Sequence, residues 1–308
     1  MAPFLFMLKP TSIFVFLNVV LWLLQVAIGE MPLWMQVSLA GFLIALVGIP
    51  HGAIDHVLFV KNTKASPLFF YGFYLALIIL IVVIWLLFPQ VGLVLFLILS
   101  AYHFGQSQLS SYGTVPSLMK ALLYILWGSS ILSALVVYNQ SEIFQICGAN
   151  QDLLQLLVVF QLPIFKLVLL FATLSFLLLF IPFAGRIGRK HVAFELLILG
   201  LIHLSFFTQS ILIGFSIYFA TLHSMEVLQE EFDFLKTKII NFNFVQFIWL
   251  LMPYTLLSLF GIALLLMLSY FTFLPMSGTL IVFISISALT LPHSVVMEQF
   301  YSVLRKKV

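Results

Sequence analysis

Gly48-Ile49-Pro50-His51-Gly52-Ala53-Ile54-Asp55-His56 closes an apolar run that begins at Leu33, and the rest of the chain is organised around this stretch. Two histidines and a carboxylate stand here among residues apolar enough to lie inside a membrane. An ionisable side chain at that depth costs at least ~2–3 kcal/mol on insertion scales, and such residues usually face a bundle interior, a cavity or a partner. The stretch therefore predicts a functional site within a membrane protein.

The composition excludes a water-soluble globule. Of the 308 residues, 63% are hydrophobic and only 7% are charged, whereas an ordinary soluble domain has about 25% charged residues. The formal net charge of +3 is small and scattered, which argues against a nucleic-acid partner. A single cysteine, Cys147, excludes an internal disulfide and a cysteine-based metal site. Any metal must then be held by histidine and carboxylate groups.

Apolar runs long enough to cross the roughly 30 Å hydrocarbon core of a bilayer recur along the chain. We predict an all-α fold, a polytopic membrane helix bundle of about ten transmembrane helices that forms a single integral-membrane domain over residues 1–308. The approximate spans are 11–28, 33–50, 67–88, 91–110, 118–138, 161–183, 192–208, 210–229, 245–270 and 279–301. Segment 141–156 is too polar to span, so we expect an interfacial helix or loop there.

The lysines and arginines predict how these helices are oriented. In a ten-helix arrangement, twelve of the thirteen cations fall on one side of the membrane and only Lys166 falls on the other. Because short cytoplasmic loops carry an excess of positive charge, both termini are predicted to be cytoplasmic, in a multi-pass protein of the inner (cytoplasmic) membrane. The twelve cations are Lys9, Lys61, Lys64, Lys120, Arg186, Arg189, Lys190, Lys236, Lys238, Arg305, Lys306 and Lys307.

Histidines on several helices are predicted to share a depth in the membrane. The second, fourth, eighth and tenth helices run in the same direction in this topology. At ~1.5 Å per residue from the helix start, His103 and His223 lie ~18 Å in and His293 lies ~21 Å in. His51 would lie deeper, ~27 Å in, but the glycines and proline of 48–52 can break or bend the helix there. A broken helix is tolerated where it lines a cavity.

A transition-metal site would explain this arrangement. Neutral imidazoles suit iron and other first-row divalent ions, and neighbouring polar groups hold the second ring nitrogen of each ligand. A single buried histidine more often packs than binds metal, and packing is what we expect for His203. The supporting candidates, each on the same helix face as its histidine, are Asp55 for His51, Gln106 for His103 and Glu226 for His223.

Four blocks of the sequence resemble those of one family. Residues 50–56, Pro-His-Gly-Ala-Ile-Asp-His, resemble the P-H-G-x-x-D-H signature of the Brp/Blh family of membrane beta-carotene 15,15′-dioxygenases, which are associated with rhodopsin pigments. Residues 101–106, Ala-Tyr-His-Phe-Gly-Gln, resemble the family's Y-H-[WF]-G segment. Residues 218–224 resemble its third histidine block, and residues 291–298 its C-terminal L-P-H block. The blocks occur in the family's order and extend over nearly the whole chain.

The resemblance implies a reaction and a cofactor. The reaction is cleavage of the central double bond of beta-carotene by O₂ to give two retinal molecules, and the cofactor is a non-haem Fe(II) held by histidines. Carried over position by position, the catalytic iron ligands would be His51, His103 and His223. The lipid bilayer, the carotenoid and O₂ are the implied partners, with a functional link to a rhodopsin.

The sequence departs from the family at one position of the third block. That block reads H-S-x-x-H, and Val227 stands here in place of its second histidine. His293, His56 or Glu226 is then the candidate for a fourth ligand. His56 lies ~140° around a regular helix from His51, so it joins the same site only if the break at 48–52 reorients it.

Two other functions fit the same features. One is a non-catalytic carotenoid- or retinal-binding membrane protein that serves a rhodopsin, and the other is an oxygenase acting on a different apolar substrate. A secondary transporter fits less well because the spans lack a clear paired half-helix pattern. The aromatic residues beside the proposed ligands, which are candidates for the wall of a hydrocarbon site, are Tyr102, Phe104, Tyr218 and Phe219.

Overall fold

A computed structural model describes residues 9–63, 66–112 and 115–305. These residues form helices and no strand. Ten of the helices there are long and apolar enough to cross a membrane, which confirms the predicted number. The spans are Pro10–Ile28, Leu33–Lys61, Pro67–Leu87, Pro89–Leu109, Ser117–Tyr138, Ile164–Ile187, Arg189–Thr208, Ile211–Lys238, Phe244–Tyr270 and Gly278–Leu304. Lys64, Lys306 and Lys307 lie outside the described residues, and the orientation of the termini stays a prediction.

Several helices begin where the chain supplies a proline. Pro10, Pro67 and Pro89 each open a helix. A proline costs little in the first turn, because its missing N–H would have no intrahelical partner there. The Ser66 hydroxyl accepts a hydrogen bond from the backbone N–H of Phe69 at 3.2 Å and so caps the third span.

The chain divides into two compact units, each discontinuous in sequence. The first comprises Met1–Ile54 and Leu196–Leu259, and the second comprises Asp55–Glu195 and Phe260–Val308. A single integral-membrane domain over residues 1–308 stays a prediction.

Two irregular helices distinguish the first unit. The helix Leu33–Leu43 continues as a π-helix over Ile44–Gly48 and a 3-10 turn over Pro50–Gly52, so the irregularity predicted at 48–52 is present. The helix Ile211–Tyr218 likewise continues as a π-helix, Phe219–Met225, before the α-helix Glu226–Lys238. The two π-helical segments contact each other. Such segments are rare and often occur at functional sites.

Close helix packing distinguishes the second unit. The helix Pro89–Leu109, called the His103 helix below, packs against Ser117–Tyr138. A Cβ atom added at Gly105 would lie 2.0 Å from the carbonyl oxygen of Tyr124. One added at Gly128 would lie 1.8 Å from the carbonyl oxygen of Ala101. Small residues of this kind let two membrane helices approach until their backbones touch.

The polar segment expected at 141–156 is helical. It contains the α-helices Gln140–Gly148 and Leu154–Gln161, with a 3-10 turn over Gln151–Leu153 between them. The carboxylate of Asp152 accepts a hydrogen bond from the backbone N–H of Ser277 at 2.7 Å, which fastens the turn within the second unit. Its position at the membrane interface stays a prediction.

The single thiol of the chain is expected to react slowly. Cys147 is buried in the helix Gln140–Gly148, and burial raises the pKa of its thiol. Because the thiolate is the reactive form, we expect the folded protein to react with N-ethylmaleimide at pH 7.5 at less than about one tenth of the rate of the denatured chain. Mass spectrometry over time measures both rates. Equal rates would contradict the buried position.

Candidate metal centre

The first unit brings two of the predicted ligands together. The rings of His51 and His223 lie 5.1 Å apart, centroid to centroid, with their planes at 81°. Both histidines are buried. The ring of Phe219 lies 5.5 Å from that of His51 and is stacked 5.4 Å from that of His223. One half-buried aromatic side chain therefore touches both imidazoles and restricts how each ring can turn.

A backbone carbonyl determines the tautomer of His51. Its Nδ1 is hydrogen-bonded to the carbonyl oxygen of Gly48. Because a carbonyl oxygen only accepts, Nδ1 must carry the proton and Nε2 must carry the lone pair. A Cβ atom added at Gly48 would lie 2.8 Å from the ring of Phe219, so a larger residue there would displace that ring.

The second unit holds another pair of histidines. The rings of His103 and His293 lie 4.9 Å apart with their planes at 87°. His103 is only 1% exposed and His293 only 4%. His103 lies on the His103 helix, and His293 lies on Gly278–Arg305, called the His293 helix below.

A buried carboxylate orients His293. Nδ1 of His293 lies 2.9 Å and 3.1 Å from the two carboxylate oxygens of Asp55. The hydroxyl of Tyr74 donates to the same carboxylate at 3.0 Å. Nδ1 therefore donates its proton to Asp55, and Nε2 carries the lone pair, as in histidines that bind metals. Helical spacing predicts that Asp55 supports His51, its neighbour on the same helix face. In the structure the carboxylate instead supports a histidine 238 residues away.

Gln106 also has a different partner from the one expected. Its side-chain amide donates to the Glu298 carboxylate at 2.5 Å, and the hydroxyl of Tyr102 donates to the same oxygen at 2.8 Å. Gln106 is fully buried, and Glu298 is half-buried. The two donors flank His103 on its helix, so the carboxylate links the His103 helix to the His293 helix.

The other two candidates for a fourth ligand, His56 and Glu226, are less buried than the four histidines described above. His56 is half-buried, and its ring is stacked 6.4 Å from that of Tyr71. Glu226 is half-buried at the first residue of the helix Glu226–Lys238. Val227, where the family pattern has a histidine, is fully buried.

One buried carboxylate, Glu195, lies outside the residues predicted for the site. Glu195 is 4% exposed inside a membrane span. It accepts hydrogen bonds from the amide of Gln108 at 2.8 Å and from the hydroxyl of Tyr112 at 2.7 Å. A lone carboxylate within an apolar run is itself a signal for a functional or structural role, and that signal is present in the sequence.

The donor set fits a transition-metal ion. His51, His103 and His293 are buried, and each has a ring nitrogen of the kind that binds a metal. In both His51 and His293, Nδ1 is hydrogen-bonded to an oxygen acceptor, so Nε2 is the nitrogen with which each ring would bind a metal. Neutral imidazoles suit iron, zinc, copper and nickel.

The fold and these residues define a multi-pass helical membrane protein with buried histidines inside its spans. A family model described as beta-carotene 15,15′-dioxygenase matches residues 42–301. The chain therefore belongs to the beta-carotene 15,15′-dioxygenase family. The match contains all four blocks on which the resemblance was based. The search of curated proteins and the search of solved structures each returned no match.

Proposed function

We propose that the protein cleaves the central double bond of beta-carotene with O₂ to give two retinal molecules, at a non-haem Fe(II) ion held by histidines within the membrane. Family membership suggests the dioxygenase activity. One beta-carotene and one O₂ balance two retinal molecules, so the overall reaction needs no external reductant.

The observation that carries the proposal is the contact between His293 and Asp55. A carboxylate buried inside a membrane protein is costly unless it has a specific partner. Here it accepts the Nδ1 proton of a buried histidine and a hydrogen bond from Tyr74. A carboxylate that holds the far nitrogen of an imidazole fixes its tautomer and increases its basicity toward a metal.

We propose His51, His103 and His223 as catalytic iron ligands, with His293 as the fourth. His293 replaces the histidine that the family pattern has at Val227. It is preferred to His56 and Glu226 because its Nδ1 is held by a carboxylate, whereas His56 stacks on Tyr71 and Glu226 is half-buried. Four neutral imidazoles add no negative charge to an apolar site.

When bound, the iron supplies the redox chemistry that lets O₂ react with an alkene. The protein contributes orientation. The Gly48 carbonyl and the Asp55 carboxylate keep the Nδ1 protons of His51 and His293 in place. A hydrocarbon substrate offers no polar group to bind, so its position must be set by shape and aromatic packing. We propose Phe219 as one wall residue, because it already contacts two of the proposed ligands.

Expression in cells that make beta-carotene tests this function. We expect retinal to accumulate, and the purified protein to contain close to one iron per chain. Iron without retinal would favour an oxygenase for another apolar substrate, and bound pigment without iron would favour a carotenoid- or retinal-binding protein. We also propose the cytoplasmic membrane as the location, with both termini cytoplasmic and the product retinal supplied to a rhodopsin.

The contact between Asp55 and His293 predicts a loss of metal affinity on substitution. Asp55→Asn keeps the size of the side chain but removes the charge that supports the imidazole. We expect it to weaken Co(II) binding by roughly tenfold or more, in the range found for outer-shell partners of metal-ligating histidines. Visible absorption during Co(II) titration of the purified protein measures the affinity.

Asp152→Asn is the matched control for this substitution. It also removes one negative charge from the second unit, where Asp152 accepts from the backbone N–H of Ser277. We expect its Co(II) affinity to stay near that of the wild type. Equal affinities for the wild type and Asp55→Asn would exclude Asp55 as a support for the metal site.

A further inference from the structure

Glu298 ties together the two helices that carry the histidine pair of the second unit. Its carboxylate accepts one hydrogen bond from the Tyr102 hydroxyl and one from the Gln106 amide. Tyr102 precedes His103 by one residue and Gln106 follows it by three, so the two donors bracket the histidine. Glu298 follows His293 by five residues, about 7.5 Å along its helix. We call this group the Glu298 clasp.

The Glu298 clasp lies between two membrane-spanning helices, where burying a charged side chain is energetically unfavourable. Both helices are membrane spans, and a carboxylate in a span usually marks a functional site. Hydrogen bonds to an ionised acceptor are about twice as strong as neutral ones. The clasp therefore fixes the axial register of the two helices at a point close to the paired rings of His103 and His293, which lie 4.9 Å apart.

We propose that Glu298 is a positioning residue of the metal site, and this inference rests on the proposed function. It sets the relative register of the His103 and His293 helices so that both imidazoles reach one ion. Each helix can turn or slide only by breaking hydrogen bonds to the carboxylate. Loss of the clasp lets the two rings separate, and metal affinity falls although neither ligand has been changed.

A second carboxylate in the same unit provides a matched comparison. Glu195 accepts from one amide, Gln108, and one tyrosine hydroxyl, Tyr112. These donors belong to the end of the His103 helix and the residues that follow it. Glu195 itself lies on Arg189–Thr208, which carries none of the four proposed ligands. The two carboxylates thus have the same kinds of donor, and only Glu298 joins two helices that both carry proposed ligands.

The experiment compares Glu298→Gln with Glu195→Gln in the full-length purified protein. Each change keeps the size of the side chain and replaces the carboxyl group by an amide, whose oxygen is a weaker acceptor than a carboxylate oxygen. We expect Glu298→Gln to weaken Co(II) binding by roughly tenfold, the lower end of the range for outer-shell partners. Glu195→Gln should keep an affinity within about twofold of the wild type, and thermal unfolding measures how far each variant loses stability.

A double-mutant comparison separates positioning from a general loss of stability. Tyr102→Phe removes one donor of the clasp and should weaken Co(II) binding by itself. In a Glu298→Leu background, which has no side-chain oxygen left to accept the Tyr102 hydroxyl, the same change should have little further effect, because residues that act through one contact are not additive. If the two substitutions instead reduce Co(II) affinity by factors that multiply in the double variant, Tyr102 and Glu298 do not act through one contact.

The outcomes distinguish this inference from the proposed function. A wild-type protein that binds neither Co(II) nor Fe(II) overturns both. A wild-type protein that binds metal, with Glu298→Gln and Glu195→Gln giving equal affinities, overturns the positioning role alone. Selective loss of affinity in Glu298→Gln supports it.

Discussion

Replacing His103 by alanine is expected to abolish retinal formation and to remove the iron from the purified protein. His103 is 1% exposed, and its ring lies against that of His293. Alanine removes a neutral nitrogen donor and leaves an apolar cavity that cannot replace it. Retinal extracted from beta-carotene-producing cells and iron per chain are the two measurements. Both should fall together, because the iron is proposed to carry the oxygen chemistry.

His203→Ala is the control for this prediction. His203 also lies within a membrane span and is half-buried, and packing is its expected role. The control loses the same side chain at a position outside the proposed ligand set. We expect it to keep both its iron and most of its retinal production. Unchanged retinal formation by His103→Ala would remove His103 from the site.

The ten spans could be predicted from the sequence because the bilayer imposes a length. About 20 apolar residues are needed to cross the hydrocarbon core, and composition reveals such runs directly. The interruption of the regular α-helix at 48–52 could also be predicted from the sequence, since a proline between two glycines weakens a helix. The π-helix at Phe219–Met225 was not predicted. Its sequence contains no proline or glycine, so it has no local composition signal.

The histidines could be recognised as candidates from the sequence, and their meeting at one metal stays a prediction, but the partners of the supporting residues could not be predicted. Helical spacing identifies neighbours three or four residues away, and on that basis Asp55 was assigned to His51. The carboxylate contacts His293, which is 238 residues distant in sequence. Tertiary packing selects that partner, and a single sequence contains no record of it. Gln106 and Glu298 illustrate the same limit.

One glycine of the second family block has a physical explanation in the helix packing. Gly105 follows His103 by two residues, and its Cα faces the backbone of Tyr124. Gly128, one turn after Tyr124, faces the backbone of Ala101, one turn before Gly105. The two helices thus meet through a reciprocal pair of small-residue contacts. This contact fixes the His103 helix against Ser117–Tyr138, whereas the Glu298 clasp joins it to the His293 helix.

Gly128→Ala should therefore destabilise the protein although alanine is the better helix former. Propensity alone favours alanine by about 1 kcal/mol in a helix interior. The new Cβ atom would lie 1.8 Å from the carbonyl oxygen of Ala101 and 2.4 Å from its carbon. These are backbone atoms, so the clash is relieved only by moving a whole helix. Overpacking of this kind costs about 1–3 kcal/mol or more, and each kcal/mol lowers the midpoint by roughly 2 °C in a chain of this size.

The same change from glycine to alanine is expected to have the opposite effect on stability at Gly72. Gly72 lies in the span Pro67–Leu87, and a Cβ atom there would meet nothing within 4 Å. The unfolding midpoint of Gly72→Ala should equal or slightly exceed that of the wild type, because the gain in helix propensity is not opposed by a clash. Thermal unfolding in detergent, followed by the loss of monodisperse protein, measures both variants. Equal midpoints for Gly128→Ala and Gly72→Ala would mean that the two helices do not touch at Gly128, and the explanation of Gly105 would fail with it.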